Sequence, residues 1–332
     1  MLELSNMKVI DVKNLKKTYL VHQKEPGLFG TFKSLIRRKY QKVKAVDGIS
    51  FEITQGELIG FIGSNGAGKT TTLKCLSGLL YPTSGEISVL GFKPWERKHQ
   101  FLKQIAFIMG QKNQLWWDSP PMDTFLLNKE IYEISDATFK KTLNGLIDLL
   151  EVKDILKIQV KKLSLGQRMK CELIANLLHS PKVLFLDEPT IGLDVVMQKK
   201  LREFISHYNQ RYYSTIILTS HYMKDVERLC RRVIVINHGK IIFDGKLADL
   251  VKKYAPYKLI RATLTNNVDR EEIENLAEVK TFEYPKVIFK VPSQNVNEII
   301  TKITNKLSVE DLNIEDTEIE EVIGKVFGLP KQ

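Results

Sequence analysis

The sequence has no apolar run long enough to span a bilayer. Its longest, such as Val233-Ile234-Val235-Ile236, stop after a few residues between Arg232 and Asn237, where a transmembrane helix needs ~20. This excludes helices that cross a membrane. The first residues, Met1-Leu2-Glu3-Leu4-Ser5, lack the charged region, apolar stretch and cleavage site of a secretory signal, which predicts a cytosolic location. Cysteine is scarce. Cys75, Cys171 and Cys230 are odd in number, widely spaced and without a nearby His or Cys, which excludes a disulfide framework or zinc site and predicts reduced, half-buried thiols. Low-complexity tracts and internal repeats are also missing, so nothing marks the chain as globally disordered.

What is present is a 332-residue chain with 43% hydrophobic residues, enough for one large domain and a smaller one. Fifty Lys and Arg against 39 Asp and Glu give a net charge of +11. Such a surplus suits nucleic acid or an anionic membrane face, and composition does not choose between them. Lys33, Arg37, Arg38, Lys39, Lys42 and Lys44 crowd a single stretch between Gly30 and Ala45.

Short β-branched runs at Lys8–Val12, Ile49–Ile53 and Leu58–Ile62 predict strands, the last leading through a Gly-rich turn into a helix over Lys69–Leu79. From Pro121 to about Ser180 strand signals vanish, and Leu, Ile and Lys recur at helical spacing. Strands return at Val183–Leu186 and Ser214–Leu218, flanking a helix over Val195–Tyr212, the alternation of a parallel sheet. Arg232–Ile236 and Lys240–Phe243, joined by Asn237-His238-Gly239, read as a hairpin. Beyond Tyr254-Ala255-Pro256 the order strand, helix, two strands, helix, strand fits a ferredoxin-like βαββαβ module, with an irregular α+β tail as the alternative.

Gly63-Ser64-Asn65-Gly66-Ala67-Gly68-Lys69-Thr70 satisfies the phosphate-loop pattern in its strand-to-helix setting. Glycines let backbone N–H groups turn inward to cradle phosphate oxygens, and the helix adds its positive end. Lys69 reaches the β and γ phosphates, the Thr70 hydroxyl is placed for Mg²⁺, and Thr71 joins the nucleotide-binding set. Val183-Leu184-Phe185-Leu186-Asp187-Glu188 is an apolar strand ending in two carboxylates, at the sheet edge where phosphate sites lie. Asp187 would hold Mg²⁺, and Glu188 would act as general base toward the attacking water.

Leu163-Ser164-Leu165-Gly166-Gln167 precedes that strand, Gly192-Leu193-Asp194 follows it, and Ser220-His221 ends the next strand. In this ordered set the chain resembles the ABC ATPase family from about Lys8 to Gly245. The resemblance implies a head-to-tail dimer, with each ATP between the phosphate loop of one subunit and the signature motif of the other. Ser164, Gly166 and Gln167 would contact the γ-phosphate across the interface, and Asp194 would sit in the loop linking the two sites. His221 would be the switch histidine that holds Glu188 and water. Tyr19 resembles the aromatic that stacks on adenine, its alternative being an ordinary strand-end tyrosine. Two departures stand out. Leu165 occupies the place of a family glycine, and Gly110 intervenes before Gln111, the choice for the Mg²⁺-ligating glutamine, with Gln114 as fallback.

Between Tyr19 and Ala45 the chain is longer than a typical family member. Phe29, Phe32, Leu35, Ile36 and Tyr40 fall at helical spacing among cations, which predicts either a basic amphipathic element at the membrane surface or a permease terminus, or a solvated basic loop. Trp116 and Trp117 are adjacent, so at least one is expected to be exposed, and one to pack on a cytoplasmic permease helix, with core packing as the alternative. Together with the C-terminal module these features resemble a bacterial subgroup of ABC ATPases that pair with separate export-type permeases.

The expected fold is α/β, a P-loop NTPase of ABC type with a helical subdomain, plus a small α+β module. Residues 1–245 form the ATPase domain, with the helical subdomain at about 121–180 and the basic insert at about 20–44; residues 246–332 form the module. The expected function is ATP hydrolysis, with ATP and Mg²⁺, powering export through integral-membrane permease subunits. A homodimer or a heterodimer with a paralogous ATPase would do this as a peripheral protein on the cytoplasmic face of the membrane. No nucleic acid partner is expected. The rival is a soluble ABC ATPase acting on nucleic acid or ribosomes, disfavoured because the chain carries neither a second cassette nor a long coiled coil.

Overall fold

The structure, a computed structural model, describes residues 7–23, 39–110 and 112–328. The chain divides into two compact units, residues 1–244 and 245–332.

In the first unit β1 (Lys8–Gln23) pairs antiparallel with both β2 (Lys39–Thr54) and β4 (Ser84–Val89), giving a sheet of order β2-β1-β4. A second, six-stranded sheet combines β3 (Leu58–Gly63), β5 (Ile105–Met109), β6 (Val183–Asp187), β7 (Thr215–Thr219), β8 (Arg232–Asn237) and β9 (Lys240–Lys246) in the order β5-β6-β7-β3-β8-β9. The first five of these are mutually parallel, and their continuous apolar runs are buried as parallel strands require. Parallel registration brings the ends of β3, β5, β6, β7 and β8 to one edge: Gly63 lies opposite Ile236, and Asp187 opposite both Met109 and Thr219. The chemistry-bearing loops of the sequence therefore leave the sheet on the same side.

Helix α1 (Lys69–Leu76) follows β3, and α2 (His99–Leu102) precedes β5. Residues between β5 and β6 form α3 (Pro121–Ile131), α4 (Asp136–Leu150) and α5 (Leu165–Leu177), with no strand among the described residues. Capping explains two starts: the Ser135 hydroxyl accepts the Thr138 N–H, and Ser164 forms a reciprocal capping box with Gln167, replacing backbone partners the first turn lacks. Helix α6 (Val195–Tyr212) follows β6, and α7 (Met223–Leu229) follows β7. The core joins both sheets through Ile10, Ile53, Phe61, Leu73, Phe185 and Ile234, all buried, each side chain contributing about 1.5–3 kcal/mol.

Two expectations change. All three cysteines are fully buried rather than half-buried, and burial raises the Cys75 and Cys171 thiols to about 11 and about 12. The long first two strands absorb part of the basic insert: Tyr19 pairs with Val43, Leu20 with Lys42 and His22 with Tyr40. Tyr40 thus lies in a strand, because ladder bonding to β1 overrides its helical spacing; Phe29, Phe32, Leu35, Ile36 and the cations Lys33, Arg37 and Arg38 fall outside the described residues.

The second unit runs α8 (Leu247–Tyr254), β10 (Tyr257–Leu264), α9 (Arg270–Glu274), β11 (Glu278–Glu283), β12 (Lys286–Pro292), α10 (Val296–Lys306), β13 (Val309–Asp316) and α11 (Ile319–Val326). Its antiparallel sheet has the order β11-β12-β10-β13, which is the ferredoxin-like βαββαβ arrangement. Ile260, Ala262 and Leu264 alternate along β10 into a core with Val287, Phe289, Val291, Ile273 and Ile303, the period-two pattern of a sheet covered on that face.

Candidate active site

The loop between β3 and α1 has a shape that only glycine permits at two points. A Cβ on Gly63 would stand 2.4 Å from the Ile236 carbonyl oxygen, and one on Gly68, at φ +110°, would stand 2.3 Å from that of Ala45. Gly66 has nothing within 4 Å, and Asn65 beside it is exposed, so the middle of the loop opens outward. Its flanks are tied down: the Ser64 hydroxyl donates to Asn237 Oδ1 at 3.3 Å, and the Ala67 carbonyl accepts the Gly239 N–H at 3.0 Å. Lys69 is only 5% exposed, with Nζ donating to the carbonyls of Gly63 at 2.7 Å and Ser64 at 3.1 Å. Burial lowers its pKa, against the attraction of Glu188 and Asp187. An ammonium curled among loop carbonyls, beside free N–H groups at a helix start, forms a cradle for phosphate oxygens. Thr71 follows in the first turn of α1, half-buried.

Thr70 Oγ1 donates toward the Asp187 carboxylate, 3.0 Å from Oδ1 and 2.9 Å from Oδ2, and Thr219 Oγ1 donates to Asp187 Oδ1 at 2.7 Å. A hydroxyl and a carboxylate meeting at one point are hard oxygen donors that fit Mg²⁺. Mg²⁺ takes one or two such protein ligands and completes its shell from phosphate and water. Thr219 was not singled out from sequence; its signal is a polar residue closing the apolar run Ile216-Ile217-Leu218 directly before Ser220-His221. A cleft of about 150 Å³ lies beside this pair, lined by Thr70, Lys74, Met109, Lys112, Asp187 and Glu188. Lys74 and Lys112 are two further cations that sequence reading passed over.

Glu188 turns out of β6 with φ +54°, a left-handed backbone that costs a non-glycine residue about 1–2 kcal/mol. Bonds from its N–H to the Thr219 carbonyl and hydroxyl oxygens, both 3.1 Å, hold it there. Its Oε1 is 2.6 Å from His221 Nε2. Gly110 N–H donates to the Asp187 carbonyl at 2.9 Å, closing the loop after β5 onto the same edge.

Gln111 lies outside the described residues. Gln114, its fallback, is turned elsewhere: Nε2 donates to the Phe107 carbonyl at 2.9 Å, Oε1 accepts from Asn176 at 2.9 Å, and the backbone N–H donates to Glu172 Oε1 at 3.1 Å. It joins β5 to α5 and has no free donor atom for a metal beside Thr70. Burial pushes the Glu172 carboxyl up to about 7. Trp116 and Trp117 are both exposed, at 53% and 47%, because residues 112–119 form no regular element. The Arg168 guanidinium stacks over the Trp117 ring at 5.1 Å.

The signature residues stand at the start of α5. Ser164 N–H donates to Gln167 Oε1 at 2.9 Å, and Gln167 N–H to Ser164 Oγ at 3.2 Å. Neither bonds a phosphate-loop residue among the described hydrogen bonds. Leu165 begins the helix and is 38% exposed, so the missing family glycine leaves no strained backbone. Gly166 packs toward Met197 and Gly192 toward Leu165. The Asp194 carboxylate caps α6 by accepting the Met197 N–H at 2.9 Å. Tyr19 is 37% exposed, with Lys17 Nζ 5.3 Å from its ring centre.

Comparison with known proteins agrees with this geometry. Residues 46–191 match the ABC transporter family, and residues 256–315 match the C-terminal domain of EvrA-like ABC transporters. The ABC transporter ATP-binding protein NatA of Bacillus subtilis is 33% identical over 212 residues, 64% of this chain and 86% of NatA. Nod factor export ATP-binding protein I of Burkholderia pseudomallei is 32% identical over 233 residues, covering 69% and 72%. The methionine import ATP-binding protein MetN of B. subtilis is 33% identical over 220 residues, covering 65% and 64%. A solved structure of an ABC transporter ATP-binding subunit superimposes with a TM-score of 0.61 at 24% identity, over 74% of this chain and 93% of that one. Fold, site and relatives converge: the chain belongs to the ABC transporter family, as an ATP-binding subunit with ATPase activity.

Proposed function

We propose that Glu188 is the general base of ATP hydrolysis and that His221 holds it in place. The observation that carries this reading is the 2.6 Å approach of His221 Nε2 to Glu188 Oε1, one residue beyond the carboxylate that Thr70 reaches. ATP lies with its phosphates in the loop Gly63–Thr70 and its adenine against the exposed face of Tyr19. Lys69 leaves its loop carbonyls for the β and γ phosphates. Thr70 and Asp187, and in this reading Gln111, would hold Mg²⁺, which would supply positive charge to offset that of the phosphates. Glu188 takes a proton from the water attacking the γ-phosphorus as the bond to ADP breaks, and fixed positioning supplies most of the rate.

The active form is a head-to-tail dimer. Ser164, Gly166 and Gln167 sit at a partly exposed helix start whose first turn is capped by the Ser164 and Gln167 side chains, which supports their reaching the γ-phosphate of a partner subunit. Asp194, capping α6 beside Gly192, lies in the connecting loop. No helix among the described residues is long and apolar enough to cross a membrane. In this reading transport runs through separate integral-membrane permease subunits, with this subunit at their cytoplasmic face. Export is the direction supported by the Nod factor relative, of which this chain covers more than it does of the methionine importer. Trp116 or Trp117 meets a permease helix.

Glu188→Gln tests the catalytic reading. Turnover falls at least ~100-fold, the scale of a general base, and ATP with Mg²⁺ traps a dimer visible by size exclusion. Undiminished turnover overturns the assignment. Substrate movement into inside-out vesicles carrying the subunit and its permease tests direction; movement out of them reverses it.

A further inference from the structure

Asp225, on α7, has no solvent exposure, yet it is absent from the roles above. Its Oδ2 accepts from the Thr190 hydroxyl at 2.5 Å and the Ser220 hydroxyl at 2.7 Å, and its Oδ1 accepts from Arg202 Nη1 at 2.7 Å. The three donors come from three places. Thr190 is two residues past Glu188, Ser220 immediately precedes His221, and Arg202 lies on α6, the helix that Asp194 caps. Thr190 and Ser220 are each 1% exposed, so no water competes for these bonds, and a buried carboxylate missing any donor would carry a large penalty. The Ser220 hydroxyl also accepts the Tyr222 N–H at 3.0 Å, fixing the chain on both sides of His221.

The Glu188 backbone requires such an anchor. A left-handed conformation in a non-glycine residue persists where its surroundings over-determine it. Upstream, Thr219 bonds hold the Glu188 N–H; downstream, the Ile191 N–H returns to the Glu188 carbonyl at 3.3 Å, and Thr190 between them is tied to Asp225. We propose that Asp225 is a positioning residue for hydrolysis. It clamps the two loops bearing Glu188 and His221 onto one carboxylate and so sets the approach between them. This rests on the reading of Glu188 as base. A one-ångström error in that approach is enough to cost ~100-fold in rate, while ATP contacts in the loop Gly63–Thr70 do not pass through Asp225.

Asp225→Asn keeps the shape and replaces one acceptor oxygen by a donor that faces groups that already donate. In the purified full chain kcat falls at least ten-fold, while the KM for ATP and binding of a fluorescent ATP analogue stay within two-fold. Adding Asp225→Asn to Glu188→Gln lowers residual turnover no further, because the clamp acts through the base. Thr190→Val and Ser220→Ala, which leave the carboxylate and Arg202 in place, each lower kcat three- to ten-fold with KM unchanged, and they carry the test if Asp225→Asn does not fold. Unchanged kcat in the Asp225 variant, or in both hydroxyl variants, overturns the clamp. So do equal losses in kcat and ATP binding, and so does a further loss in the double variant. An inactive Glu188→Gln beside a fully active Asp225→Asn removes only the clamp. An active Glu188→Gln removes the base assignment and the clamp together, since Asp225 has no other route to the reaction.

Discussion

The carbonyl oxygen of Glu188 lies 2.0 Å from the point where a Cβ on Gly110 would stand. Gly110, which separates β5 from Gln111 and departs from the family pattern, is therefore fitted against the backbone of the proposed base. Gly110→Ala must push Glu188 or the loop after β5 aside. We predict a fall in kcat of at least ten-fold, with a loss of stability of about 1–3 kcal/mol from overpacking. Steady-state phosphate release and thermal melting check both, and wild-type turnover in a folded variant would show that the loop yields without moving Glu188.

Leu165 presents the opposite case, a departure that the structure absorbs. It occupies the first turn of α5 with ordinary helical backbone, half-exposed, its methyl group against Gly192. Restoring the family glycine as Leu165→Gly relieves no strain and costs up to about 1 kcal/mol of helix stability. ATPase activity is expected to stay within about three-fold of wild type. An increase of ten-fold or more would mean that the leucine limits engagement of the γ-phosphate.

These two positions show what sequence could convey. The phosphate loop, the acidic pair after β6 and Ser220-His221 were legible because each is a short run of fixed chemistry at a strand end, and parallel pairing carries such ends to one edge. The βαββαβ order of the second unit was legible from alternation alone. The close approach of Gly110 to Glu188, 78 positions apart in sequence (188 − 110), the Thr219 bond to Asp187, 32 apart, and the Asp225 clamp, reaching 35 positions back to Thr190, are tertiary contacts that no local pattern encodes. Gln114 stands only as the fallback to Gln111 for the Mg²⁺-ligating glutamine, and Phe107 and Asn176 take its side chain because α5 packs against β5. Tyr40 kept helical spacing on paper, but pairing with His22 across β1 and β2 decided its state.

His179 provides a pH-dependent test outside the catalytic edge. Its ring stacks on Tyr132 with centres 3.9 Å apart and planes 3° from parallel, and Nε2 donates to the Ile105 carbonyl at 3.0 Å. Burial lowers its pKa to about 4 from an ordinary 6.5, outweighing the bond to Ile105. The unfolded chain protonates this histidine below about 6.5, the folded chain only near 4. Its contribution is thus full above that window and is lost as pH falls through it, up to about 3 kcal/mol. His179→Phe keeps the stack and removes the titration, at a cost of about 1 kcal/mol for the lost hydrogen bond. The variant is therefore less stable than wild type at pH 7.5, and the gap closes or reverses by pH 4.5 in denaturant melts. A gap independent of pH would mean that the folded and unfolded chains protonate this ring alike, so that burial does not shift it.

Phe289 separates the two units experimentally. It is fully buried on β12 in a core drawn from β10, β12 and the helices α9 and α10, and Phe289→Ala is expected to cost about 3–5 kcal/mol. For a unit the size of residues 245–332, total stability is about 4–13 kcal/mol at ordinary values per residue, so a large share is lost and the unit melts early. Among the described residues, the core beneath the phosphate loop is built from residues between Val9 and Ile236, with Ile241 packed beside it. ATP turnover by the variant should accordingly stay within about two-fold of wild type at temperatures where the second unit has already unfolded, giving two separate transitions by calorimetry. A parallel ten-fold loss of kcat would show that the C-terminal unit supports the catalytic edge, and would turn attention to what it holds there.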